Sequence, residues 1–380
     1  MPRSAEALRA LLVAFAFAVA CRKPEGVRPA PASPAPKTAS QVADEVFPGL
    51  LVEGRWDTAT SHEAAGRSRL WSRDPEARLS FSFDGRRLAL YRLVQPGAPT
   101  MEVCLDGQCR PVVNAASRDF GVQPVHLSGL TSRPHQVRIS RREGAWLDLD
   151  RIETRGPARP LGEGHHEDTD PDIAYEGSWL VQRRDGPSGG TVHTAFDIEA
   201  RMEVHFEGEG IVMFVVRYDD REEVEVCIDG RCSVVNNYAP ALLWVQPVLF
   251  TGLGPGPHQL VLRRLRGRYL DVDGLEVLGN ARPLPPGAHT SREPRIRYFG
   301  SWRAQEVAGG ERQASASPGA AVYLAFRGTG IVLRRTLDSD RGRSELCVDG
   351  SCREVDSYAP EAVPGSPVEI SGLAPGVHHL

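Results

Sequence analysis

The sequence predicts an all-β protein built from three tandem antiparallel β-sandwich modules, and three observations carry that expectation. One six-residue phrase occurs three times, as CLDGQC at Cys104 to Cys109, CIDGRC at Cys227 to Cys232 and CVDGSC at Cys347 to Cys352. The landmarks around it keep their spacing: Trp56, Trp179 and Trp302 stand 123 residues apart both times, and His135, His258 and His378 each follow the second cysteine of their copy by 26. Between them lie short runs that alternate apolar with polar residues, such as ARLSFSF (77–83), RMEVHF (201–206) and AVYLAF (321–326), broken by Gly and Pro and without a helical period. Many short strands at regular spacing are the pattern of a sandwich.

Ahead of the modules, Arg3 and Arg9 precede the apolar run Leu11 to Ala20. The run is too short to span a bilayer and ends in small residues, so residues 1–20 read as a secretory signal. The AVAC that follows resembles a bacterial lipoprotein box, with Ala18 where that box usually carries leucine. The resemblance implies a lipid on Cys21; ordinary cleavage after Ala-x-Ala is the competing outcome. Residues 21–46 include a Pro-, Ala- and Ser-rich stretch that reads as an extended tether. Seven cysteines divide into three close pairs plus Cys21, as expected in an oxidising compartment. These segments predict export to the bacterial cell envelope, with a membrane anchor on the outer membrane or cell surface.

The modules follow at residues 47–157, 172–280 and 295–380, opened by VEGRW, YEGSW and YFGSW and separated by Pro- and Gly-bearing connectors. In each, Asp-Gly between alternating runs predicts a two-residue hairpin turn with positive φ at both central residues. That turn sets Cys104 opposite Cys109, Cys227 opposite Cys232 and Cys347 opposite Cys352, close enough for a disulfide. A zinc site fits worse, since no second Cys/His pair accompanies each copy. The third copy stops at Leu380 without a counterpart of the closing WLDLDRIE (146–153) and YLDVDGLEV (269–277). It is therefore expected to be unstable alone, as a fragment of a longer protein or completed by another chain.

Net charge is −4 with no long basic run, which excludes nucleic acid as the main partner. GPSGG (186–190) matches G-x-S-x-G, but lies between strand-like runs and occurs in one copy only. A nucleophile elbow needs a strand and a helix around it, so the expectation is a chain without catalysis.

DPDIAYEGSW, GEGI, VCIDG, the GL-x-PG-x-H turn and YLDVDGLEV resemble the galactose-binding-like jelly-roll modules of secreted proteins, near the carbohydrate-binding modules. The resemblance implies a jelly-roll sandwich and permits sugar binding. Candidate ligand residues are Asn236, Asn237 and Tyr238 in NNYAP and Asp356 and Tyr358 in DSYAP, where an aromatic stands beside amide or carboxylate groups. Glu53, Asp148 and Asp150 in the first module, and Glu176, Asp271 and Asp273 in the second, are candidate oxygen ligands for a structural Ca²⁺ if first and last strands approach each other; caps or ion pairs with Arg are the alternative. The expected function is a non-catalytic envelope protein that recognises glycan or another envelope component. The alternatives are a structural or assembly lipoprotein with protein partners, and the accessory region of a hydrolase that continues past residue 380.

Overall fold

The computed structural model describes residues 49–60, 68–280, 282–307 and 310–380; the leader, Cys21 and the Pro-rich stretch lie outside them. Among the described residues every regular element is a strand, apart from one 3₁₀ turn at Ser188–Gly190. In the first module Leu51–Glu53, Arg78–Asp84, Pro134–Glu143, Thr100–Leu105 and Gln108–Val113 form one antiparallel sheet in that order. Arg87–Val94 and Gly121–Leu127 pair with each other, and Arg151–Arg155 adds to the outer edge. The period of two places Leu79, Phe81 and Phe83 against Leu88 and Leu90 in one buried cluster. The second module repeats the plan with Met202, Val204 and Phe206 against Ile211, Met213 and Val215. Each opening tryptophan is an anchor with its Nε1 donating to a carbonyl three residues back: Trp56 to Glu53, Trp179 to Glu176 and Trp302 to Phe299, at 2.8, 2.9 and 2.9 Å.

All three hairpins form with the expected register, Cys opposite Cys, and the sulfurs are bonded with Cα atoms 3.9, 3.9 and 4.0 Å apart. Asp106, Asp229 and Asp349 take φ of 50°, 49° and 50°, in the left-handed region that Asp tolerates better than most residues. The same aspartate explains the fixed histidine. In the second module Asp229 Oδ2 meets His258 Nδ1 at 2.6 Å, Oδ1 accepts the Gln259 N–H at 2.9 Å, and His258 Nε2 reaches the Gly254 carbonyl at 2.9 Å. Asp106 with His135 and Asp349 with His378 repeat this clasp at 2.7 and 2.6 Å. Each ring also lies beside a phenylalanine, Phe83, Phe206 or Phe326.

In the second module both ring nitrogens of His258 face acceptors, so its imidazolium is the form that fits. His258 is raised, its Asp229 hydrogen bond and the Gly254 carbonyl outweighing burial, while Asp229 is lowered, chiefly by His258. The histidine contribution is complete below its unfolded pKa of about 6.5 and is lost as pH rises through the raised folded value. The aspartate contribution is present above about 3.9 and is lost as pH falls through the lowered one. The clasp therefore stabilises most between about pH 4 and 6.5. Asp229→Ala should lower the melting temperature of the second module, and the deficit should be larger at pH 5.5 than at pH 9; calorimetry at the two pH values checks it.

The modules are not independent beads. Ala174–Arg183, the opening strand of the second module, pairs through Gly177 and Ser178 with His126 and Val125 of the first, so one sheet runs across both. Fully buried Arg92 bolts the seam: Nε donates to Asn114 Oδ1 at 3.1 Å, Nη1 to the carbonyls of Gln123 and Pro124 at 2.6 and 2.8 Å, and Nη2 to Ser178 Oγ at 3.2 Å. The stretch Gly164–Glu167, read from sequence as connector, is an edge strand on Gly274–Leu278. The second seam is apolar. Val212 and Phe214, on the face of Gly210–Arg217 turned from the module core, cluster with Phe299 and Tyr323 of the third module. Leu284, from the stretch read as connector, is buried with Leu324, Phe326 and Val348 of that module, in which Ala325–Leu337 pairs with Val363–His379.

Candidate functional site

A cleft of about 340 Å³ opens where the 114–120 loop of the first module meets the loop end of the second. Tyr218, Trp244 and Tyr269, all partly buried, line it, with Phe120 and its covering Arg118 on the other wall. Its floor is a relay of polar groups. Arg118 Nη2 and Arg184 Nη2 donate to Gln182 Oε1 at 3.2 and 2.7 Å, Gln182 Nε2 donates to Thr194 Oγ1 at 2.8 Å, and Thr194 Oγ1 donates to Asp271 Oδ1 at 2.5 Å. Arg221 Nε donates to Asp271 Oδ2 at 2.6 Å while its guanidinium lies 4.9 Å from the Tyr269 ring centre. Burial raises Asp271, and Arg221 opposes the shift. Aromatic faces beside fixed planar hydrogen-bonding groups suit a ligand with apolar CH faces and ring hydroxyls.

The backbone here is held in an uncommon state. Val245, next to Trp244, has φ of 52°, where the third module has Gly365 at 69°. A β-branched residue at that angle is an outlier whose strain costs about 1–3 kcal/mol, and such strain collects at functional sites. The indole also needs Gly186: a Cβ there would stand 2.5 Å from Trp244 Cδ1.

None of the five ligand residues singled out from sequence lines this cleft, whereas Asp271, singled out as a calcium ligand, does. Tyr238 and Tyr358 are 54% and 59% exposed. Each tops a turn in which its own N–H donates to Asn236 Oδ1 or Asp356 Oδ1 at 2.9 Å. Asn237 is buried, its N–H donating to the Glu222 carbonyl at 2.7 Å. Sequence reasoning missed Trp244, which lies inside an apolar run that reads as core strand.

The six carboxylates proposed for calcium do not converge. Glu53 is exposed. Asp148 accepts the Leu93 N–H at 2.9 Å with Arg69 3.8 Å away, and Asp150 is buried beyond it in the same strand end. Glu176 accepts from Arg110 Nη1 at 2.7 Å and Ser128 Oγ at 3.0 Å, across the first seam. Asp271 carries Arg221, as above. Asp273 differs: Oδ1 accepts the Ser188 N–H at 2.9 Å, while Oδ2, like Glu167 Oε2 nearby, is shut from solvent without a partner among the described residues. Burial first, then the charges of Asp168 and Glu167, pushes Asp273 up to about 7. The G-x-S-x-G serine is here too, Ser188 Oγ 3.2 Å from His165 Nε2 and 3.1 Å from Glu167 Oε1. Glu167 meets that same imidazole nitrogen, at 3.2 Å, which is not the order of a nucleophile, base and orienting acid.

Searched against models of known protein families, the chain matches none. It is 22% identical over 357 residues to an A type blood α-D-galactosamine galactosaminidase of Flavonifractor plautii, covering 89% of this chain and 32% of that protein. The chain thus spans about a third of the curated relative it matches. Solved structures similar to it include a Paenibacillus xanthan lyase (13% identity, 67% of this chain and 27% of that one, TM-score 0.27). Another is the tandem CBM22 domain of Paenibacillus barcinonensis Xyn10C (12% identity, 62% and 96%, TM-score 0.20). The expectation of a chain without catalysis is overturned by the first match, since the relative is itself named as an enzyme.

Proposed function

We propose that the chain recognises glycan through the Trp244 cleft and belongs to a carbohydrate-processing protein, of which these modules form the substrate-holding region. The observation that carries this is the cleft itself, three aromatic side chains around a fixed relay from Gln182 through Thr194 to Asp271 and Arg221. The galactosaminidase relative supports galactose- or galactosamine-bearing chains as the first ligands to try. Export through the leader and a lipid on Cys21 belong to the same proposal, and the mass of the mature amino terminus tests them.

Calcium in this reading goes to Asp273 and Glu167, whose two orphan carboxylate oxygens fit a hard cation better than the arginine-paired acids do. Bound there, it would neutralise charge at the start of the closing strand.

Trp244→Ala should weaken binding of galactose- and N-acetylgalactosamine-terminated oligosaccharides about tenfold, the loss of one aromatic platform, with melting temperature little changed. Titration calorimetry on the full chain measures it, with Tyr358→Ala as a remote control. Equal affinities of native and Trp244→Ala chains would remove the cleft from the proposal.

A further inference from the structure

A second cavity, about 500 Å³, lies on the opposite side of the first seam. Volumes of this size hold small ligands. One wall is the outer face of Arg87–Val94 and Arg151–Arg155, the strands that close the first module; the other is the 168–175 segment and strand end of the second.

Its charges do not balance. Arg151 and Arg155 share one carboxylate, Glu153, at 3.2 and 3.1 Å. Arg87 makes no ion pair among the described residues, although the charge of Asp172, itself paired with Arg159, acts on it; its Nε and Nη1 donate to the carbonyls of Gly156 and Pro171 at 2.9 and 2.5 Å. Arg183, at the far lip, makes no side-chain hydrogen bond or ion pair among the described residues. The acids of the opposite wall are already spoken for. Asp168 accepts from Thr191 Oγ1 and faces His193 Nδ1 at 2.6 and 2.8 Å, and Asp170 faces His166 Nδ1 at 2.9 Å. Four lining arginines thus face the carboxylates of Asp168, Asp170 and Glu153, and burial first, then the charge of Arg155, lowers Arg87 against the pull of Asp172.

We infer that this seam cavity is a second ligand site, for an anionic saccharide whose carboxylate or sulfate lies between Arg87 and Arg155. Two planar guanidiniums facing one oxyanion give charge-assisted hydrogen bonds, about twice as strong as neutral ones. The ligand joins the two modules, since each contributes a wall. The inference rests on the glycan reading for the sugar body of the ligand; the anion position is set by the arginines alone.

The test is titration of the full chain with trigalacturonate, with a sulfated disaccharide and with a neutral galacto-oligosaccharide. Arg155→Gln and Arg183→Gln are suitable because neither residue is buried. Arg155→Gln should weaken an acidic probe about tenfold and Arg183→Gln, at the far lip, by less, whereas Trp244→Ala leaves it unchanged. The carboxylate and sulfate probes tell the two anion sources apart, the one that responds to the arginine variants being the ligand type. Affinity should fall with added salt. The inference is overturned if neither acidic probe binds, if both arginine variants bind as the native chain does, or if Trp244→Ala removes the acidic ligand. Neutral sugar failing to bind while the acidic probe keeps its arginine dependence would end the cleft reading and leave this one standing.

Discussion

Arg92→Ala should destabilise the chain by about 3–5 kcal/mol, more than an ordinary surface or half-buried change. The guanidinium has no exposed surface, and burial lowers its pKa to about 10, with Asp148 the largest opposing charge. Alanine would strand Asn114 Oδ1, two strand carbonyls and Ser178 Oγ at once. It would also remove a countercharge from Asp148, which burial already pushes up to about 6. A raised carboxyl pKa in the folded state makes stability fall as pH rises from about 3.9 toward that value. Without Arg92 the folded value climbs further, so the fall extends to higher pH. The deficit of Arg92→Ala should accordingly be larger at pH 8 than at pH 5 in urea titrations. Ser178 belongs to the second module, so the variant should also split one unfolding transition of the first two modules into two. Arg92→Met, which keeps volume but no donor, should fall between native and alanine. A deficit under 1 kcal/mol at both pH values would show that the seam does not depend on this residue.

The sequence contained most of the module and little of the joints, for a physical reason. A hairpin is specified within six residues, because Asp229 and Gly230 must supply the turn and Cys227 and Cys232 then face each other. Alternation likewise exposes Val224, Val226 and Ile228 as core without long-range knowledge. The pairing of Gly177 with His126, by contrast, joins residues whose local patterns do not refer to one another. One signal was available: GIVMFVV (210–216) is apolar at every position after its glycine, where a strand with one wet face would alternate. Its second face is the one that Phe299 and Tyr323 cover. The cleft stayed hidden because its strained residue is a valine, a type that sequence rules exclude from positive φ. Tyr238 looked more promising for the opposite reason, sitting in an obvious loop. The His258 spacing was visible, but its cause, a turn aspartate serving both φ and the imidazole, needed coordinates.

Asp273→Asn should stabilise the metal-free chain at pH 8 and change it little at pH 4. Asp273 is fully buried, and its folded pKa of about 7 exceeds the ordinary 3.8 because burial, Asp168 and Glu167 together disfavour the anion more than the Ser188 and Val245 N–H groups favour it. The folded state therefore holds a proton that the unfolded state has released between those values, and stability falls as pH rises from about 4 to about 7, then levels. The total is about 2–4 kcal/mol, the lower figure applying where solvent screens the neighbouring charges. Asparagine keeps the acceptor for the Ser188 N–H and sets a donor beside the orphan Glu167 oxygen, so the slope should flatten without loss of packing. Calcium reverses the order. On the proposed calcium site the ion would bind the ionised pair, so Ca²⁺ at pH 8 should raise the melting temperature of the native chain and leave Asp273→Asn unmoved, by the linkage of binding to folding. A chelator should abolish the difference. If Asp273→Asn is less stable than the native chain at pH 8 with no metal present, burial of that charge is not the strain described here, and the calcium assignment loses its basis.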